Sequence, residues 1–170
     1  LSHLGDEVAS IAMLKQVIES MTRTLGAEHP STLAARRDLI YHRIEERARE
    51  GKRQQTIDEF KELAQLVEKI QGPEDIHLTL INYHLGCQCR MDGQLQAAVE
   101  LMKKVLPQFM KAYGETHDYT ISATFQLGLA YMQLNQFELS QPMLAKVNTD
   151  WEKKYGKSHA MLQDAKSMLA

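Results

Sequence analysis

The residues of this chain best suited to hold a metal or carry redox chemistry are seven histidines and two cysteines, Cys87 and Cys89. A zinc or redox cysteine pair needs two residues between its members, and here only Gln88 intervenes. On a helix, positions i and i+2 point apart, so these two cannot close a disulfide on each other. Two thiols outside a disulfide suit a reducing, cytoplasmic setting. His29, His117 and His159 recur in equivalent short motifs, which places them on successive turns and not around one point. His42 and His84 have no acidic or cysteine partner at ligand spacing. There is no glycine-rich phosphate loop and no nucleophile elbow. No enzyme activity, no cofactor and no metal are therefore expected.

Charge points the same way. Lys and Arg number 20 against 22 Asp and Glu, a net charge of -2 that gives no electrostatic reason to expect direct nucleic-acid binding or an anionic membrane. The most basic stretch, Arg36 to Arg53, interleaves its cations with Asp38, Glu45, Glu46 and Glu50, and reads as a solvated helix face. No apolar run approaches the ~18 residues of a membrane span. The chain opens at Leu1, without an initiator methionine or a leader, and is expected to be a piece of a longer protein.

The elements that carry these residues follow from a repeat. Gly26, Gly72, Gly114 and Gly156 recur at intervals of 46, 42 and 42 residues, and Gly5, Gly51, Gly93 and Asn135 each precede one of them by 21. Gly and Asn tolerate the left-handed conformation that ends a helix. Once these are aligned, a small-residue column appears at Ser10, Thr56, Ala98 and Ser140. Four residues on come Leu14, Phe60, Met102 and Leu144, then Val17, Leu63, Val105 and Val147, then Met21, Val67, Phe109 and Trp151. Offsets of four and three make the stripe of an amphipathic helix.

Alternating helices are therefore predicted at about 6–24, 31–50 with 53–70, 77–91 with 94–112, 118–133 with 136–154, and 158–170. The first pair carries four extra residues, about one turn, placed before Gly51 in its first helix. Short polar side chains after each glycine are expected to cap the next helix. The second junction, Gly72 to Thr79, looks out of register by a residue or more. Pro142 lies close enough to a helix start to be tolerated. Most of the nine methionines fall on the apolar stripes as gap fillers.

The motifs Leu127-Gly128-Leu129-Ala130-Tyr131 followed by Ser140, and Leu85-Gly86 followed by Ala98, resemble the tetratricopeptide (TPR) repeat superfamily. The 42-residue period and the junctions Gly26-x-x-His29-x-x-Thr32 and Gly114-x-x-His117-x-x-Thr120 resemble its kinesin-light-chain-like branch. Cys89 stands where that pattern has tyrosine, and Leu39-Ile40 where it has Leu-Gly. The resemblance implies an all-α, TPR-like α-α superhelical solenoid of stacked antiparallel helix pairs. It would form a single domain over 1–170: a partial unit 1–25, units of about 26–71, 72–113 and 114–155, and a terminal helix 156–170.

In the family, first helices line a concave groove that binds a protein or peptide segment. Carried over by position, the lining would be Arg37, Asp38, Tyr41, Tyr83, His84, Cys87, Arg90, Phe125, Gln126, Leu129 and Gln133. Tyr41, Tyr83 and Phe125 would serve as apolar anchors, and Arg37 and Arg90 would pair with acidic groups. Asp38 and His84, where the family often has asparagine, would make contact charge- and pH-dependent. Replacing Arg90 and Gln126 with alanine is expected to weaken capture without lowering the melting temperature. Two other roles remain open on the same residues. One is a peptide-sensing domain of a larger transcriptional regulator or kinase. The other is self-association through the terminal helices.

Overall fold

A residue in the left-handed region stops a helix and turns the chain, and glycine adopts it without strain. The computed structural model of the protein describes residues 2–156, and these form helices and turns without any strand. The helices are α1 (Ser2–Leu25), α2 (Pro30–His42), α3 (Ile44–Arg49), α4 (Arg53–Gln71), α5 (Ile76–Met91), α6 (Leu95–Tyr113), α7 (Asp118–Gln133) and α8 (Phe137–Tyr155). Gly26, Gly72, Gly114 and Gly156 have φ of 96°, 89°, 88° and 80°, and Asn135 stands at 59° among the second series. Gly5, expected in that series, lies inside α1, which is already under way from Ser2. The expected helix over 158–170 lies outside the described residues. Those residues group into two compact units, divided between Gln88 and Cys89 within α5.

In the first unit, α2 packs on α1 and α4, and α3 packs on α4. The core holds Leu33 and Ile40 of α2, Ile57, Phe60, Leu63 and Val67 of α4, and Leu78 and Ile81 of α5. The helix expected over 31–50 is in two pieces, broken at Arg43 with φ -93° and ψ 0°. The extra turn causes this. Four residues carry a helix about 40° beyond a full circle, so a continuous helix would swing its last turn off the stripe begun by its first. The ending itself is regular. The carbonyls of Arg47, Cys89 and Tyr131 accept backbone N–H groups from Lys52, Gln94 and Gln136 at 2.7, 2.8 and 2.9 Å, the six-to-one bond of a Schellman motif. Arg47 thus occupies the column of Cys89 and Tyr131.

That placement corrects the solvated-face reading of Arg36–Arg53. Arg47 is only 1% exposed. Its two terminal nitrogens donate to the two carboxylate oxygens of Glu59 on α4, one at 2.9 Å, and its Nε has no hydrogen-bond partner.

The second junction also differs from expectation. α5 begins four residues after Gly72, as α2 does after Gly26 and α7 after Gly114, so the junction is in register. Only its residues change. His29 and His117 cap their helices through Nδ1, accepting from Ser31 N and Tyr119 N, each at 3.2 Å. At the second junction Asp75 takes that place, with Oδ1 accepting from His77 N at 2.7 Å and Leu78 N at 3.2 Å. Asp75 is thus a short polar cap of the expected kind, while at the other two junctions histidine caps in place of the Ser and Thr that follow. Thr32 and Thr120 instead donate back to the Gly26 and Gly114 carbonyls at 2.9 and 2.7 Å, a link that Leu78 replaces with burial.

In the second unit, α7 packs on α6 and on α8. Gly128 explains why the Leu-Gly column needs glycine there, since a Cβ would lie 2.9 Å from Leu144 Cδ2. Gly128→Val is expected to cost about 1–3 kcal/mol through overpacking, read as a lower denaturant midpoint at unchanged slope. Ile121, Phe125, Leu129, Leu144, Val147 and Trp151 form the core cluster. Pro142 is the sixth residue of α8 and lies past the partner-free opening turn where it was expected, since Ser140 N already donates to Gln136 O at 3.1 Å; like Pro107 in α6, it stands inside its helix.

Candidate binding surface

The first-helix residues proposed from sequence divide between the two units. In the first, Arg37 Nε and NH2 donate to Asp38 Oδ1 at 3.0 and 2.7 Å, and NH1 donates to His77 Nδ1 of α5 at 3.3 Å. This spends Arg37 on tying α2 to α5, while the Asp38 side chain stays 46% exposed. His84 lies against the ring of Tyr41 at 4.8 Å and that of Phe60 at 6.0 Å, with its neighbour Tyr83 at 5.3 Å. Tyr41 is 50% exposed, whereas Tyr83, His84 and Cys87 are half-buried. The break at Arg43 leaves a cavity of about 280 Å³ lined by Tyr41, His42, Ile44 and Glu45.

Burial pushes the His84 imidazole down from 6.5 to about 4, helped by the positive charge of Arg37 and opposed by Asp38. The ring is therefore neutral at physiological pH, and the pH-dependent contact expected from sequence moves to acid conditions. The folded state takes up this proton later than the unfolded chain. Between about pH 6.5 and 4 the unfolded state holds more protons, and stability falls as pH is lowered through that window. His84→Gln is expected to flatten the decline, measured as the urea midpoint against pH.

In the second unit, Arg90 Nε donates to Gln126 Oε1 at 2.8 Å and its NH1 to Gln133 Oε1 at 3.2 Å. The three side chains form one network from the end of α5 along α7. Gln126 is half-buried and Gln133 exposed. Phe125 and Leu129 do not share this surface. Both are buried, and Phe125 meets Trp151 edge-on at 5.0 Å between ring centres. Their columns turn toward α8, so they serve as core.

Among the described residues, no three His, Cys, Asp or Glu side chains come together to hold a metal, and no helix is long and apolar enough to cross a membrane. No protein-family model matches the chain, and no curated protein does. Solved structures do. A protein described as a kinesin light chain of Podosopora anserina, with nearly identical TPR-like repeats, superposes with TM-score 0.71 at 23% identity, over 98% of this chain and 77% of that one. A single-residue variant of it gives TM-score 0.73 over the same shares. BtubC from P. vanneervenii gives 0.71 at 19% identity, over 96% of this chain and 64% of its own. The chain has a TPR-like repeat fold.

Sequence reasoning missed one feature of this TPR-like chain. In the second unit a cavity of about 350 Å³ opens between α6, α7 and α8, with Leu106, Met110, Met143 and Val147 in its lining and Lys146 and Asp150 at its edge. Met102, Met110 and Met143 had read as gap fillers; Met102 is buried, but Met110 is 41% exposed. The signal was available in the stripe itself, because Met110 and Met143 fall beside the core columns and not on them.

Proposed function

We propose that this TPR-like chain is a non-catalytic interaction module whose first-helix surfaces bind a peptide or protein segment, in a cytoplasmic setting. The observation that carries the reading is Tyr41. A large ring left half exposed, yet backed by His84 at 4.8 Å, is an anchor that loses little freedom on binding. Arg37 and Asp38 stand beside it, with Tyr83 and Cys87 on the neighbouring helix. On the second unit, Arg90, Gln126 and Gln133 form a polar network that can exchange one internal bond for one to a peptide backbone or carboxylate. Cys87 and Cys89 are outside any disulfide, consistent with a reducing compartment.

The test is to select peptides from a displayed random library against the 170-residue chain and titrate an enriched peptide by fluorescence anisotropy. Tyr41→Ala, and separately Arg90→Ala with Gln126→Ala, are expected to weaken binding about tenfold, equivalent to ~1.4 kcal/mol. Because Arg90 and Gln126 bond to each other, the double variant should also lose about 1 kcal/mol of stability. This revises the sequence-based expectation of an unchanged melting temperature. Unchanged affinity in both variants would remove the reading.

A further inference from the structure

The cavity between α6, α7 and α8 is left where short side chains meet long ones. α7 lends it Thr120, Ile121 and Thr124, whose branched side chains are short beside Leu106 and Met110 of α6 and Met143 of α8. All three helices lie within the second unit and the described residues, so no chain end creates the space. At about 350 Å³ it stands at the lower end of small-molecule sites, and its walls are mostly apolar, as in such sites.

The polar groups select the kind of molecule. The Thr120 and Thr124 hydroxyls already donate their protons, to Gly114 O at 2.7 Å and Thr120 O at 2.8 Å, so they offer a ligand only lone pairs. Pro142, also in the lining, has no N–H. Glu115 and Asp150 add two carboxylates, and Lys146 a single ammonium. Lys146 Nζ lies 2.8 Å from Asp150 Oδ2 and 3.9 Å from Glu115 Oε2. Among the described lining residues, acceptors therefore outnumber side-chain donors, and negative charge exceeds positive by one. The Lys146 side chain is 52% exposed and that of Asp150 only 15%. The carboxylate is fixed beside apolar walls, where a charge acts more strongly than in open water, while the ammonium can leave for solvent.

We propose that this cavity binds a small organic ammonium, a primary amine on an apolar body of about eight to ten carbons. The body fills the space between α6 and α8. The ammonium bridges Asp150 and Glu115 in the place of Lys146, which swings out into water. The site uses neither Tyr41 nor the Arg90 network, and so stands apart from peptide binding.

The test is a titration of the 170-residue chain, its methionine methyl groups labelled with carbon-13, with octylamine at neutral pH. Octanol and octanoate serve as probes of the same chain length and different charge. Octylamine is expected to move the methyl resonances of Met110 and Met143 and to leave that of Met91 in place. Octanol should bind about tenfold more weakly, and octanoate not at all. Asp150→Asn should weaken octylamine about tenfold and leave octanol unchanged. Lys146→Met keeps the apolar stem and removes the competing ammonium, so it should tighten octylamine about threefold. If Asp150→Asn lost its helical circular dichroism, Glu115→Gln on the exposed side of the rim would carry the same test. Resonances of Met110 and Met143 that stay still, or equal affinities for amine and alcohol, would overturn the proposal. Octanoate binding that Lys146→Met abolishes would assign the cavity to an anion and overturn it equally.

Discussion

Trp151→Ala is expected to lower the stability of the second unit by about 3–5 kcal/mol, the range for removing a large buried aromatic. Trp151 is the chain's one tryptophan and is buried in the cluster with Ile121, Phe125, Leu129, Leu144 and Val147. It is also the only indole in a column otherwise filled by Met21, Val67 and Phe109. Its ring meets Phe125 edge-on at 5.0 Å with planes at 60°, a geometry that adds about 0.5–1.5 kcal/mol beyond the area buried. Alanine removes both terms and leaves a void between α7 and α8 that small shifts cannot close. Trp151→Phe keeps an aromatic edge against Phe125 and should lose roughly half as much. Calorimetry reads both: the transition of residues 89–156 should move down first and furthest in Trp151→Ala. A melting profile unchanged by that substitution would contradict the place of Trp151 in this core cluster.

Glu59→Ala carries the second large effect, about 3 kcal/mol of lost stability, because it strands a buried guanidinium. Arg47 is 1% exposed and its bond to Glu59 is two-pronged. Its Nε already lacks a partner, so removal of the carboxylate leaves the whole fork unsatisfied. The double variant Arg47→Met with Glu59→Leu removes the charge along with its partner, and should recover most or all of the loss. Urea unfolding at one pH distinguishes the two outcomes. If Glu59→Ala cost no more than a surface substitution, about 0.5 kcal/mol, Arg47 would be reaching water by a route that its burial excludes.

Helix order was legible because the left-handed residues announce it: Gly26, Gly51, Gly72, Gly93, Gly114 and Asn135 stand at helix ends in both the repeat alignment and the fold. What was not legible came from substitutions that keep the backbone and change the chemistry. Asp75 replaces a capping histidine in place, and without coordinates this looked like a slip of register. Arg47 takes a tyrosine column after a four-residue insertion, and its acidic neighbours in sequence disguised it as solvent-facing. The partner that matters, Glu59, lies on the next helix. At the candidate surface, position alone put Phe125 and Leu129 with Tyr83 and Cys87, yet the core claims them because Trp151 offers Phe125 a ring to pack on. Arg90, Gln126 and Gln133 were chosen separately by position, and their mutual hydrogen bonds could not be read from spacing.

The central proposal is that a partner segment lies on first-helix surfaces, on α2 and the start of α5 in the first unit or on α7 in the second, and not in the cavity between α6 and α8. Amide chemical-shift mapping on the isotopically labelled chain, titrated with a peptide enriched by selection, tests it most directly. The account predicts that the perturbed resonances fall at Asp38, Tyr41, His84 and Cys87 in the first unit, at Arg90, Gln126 and Gln133 in the second, or at both. Perturbations confined to Leu106, Met110, Met143 and Lys146 would contradict it.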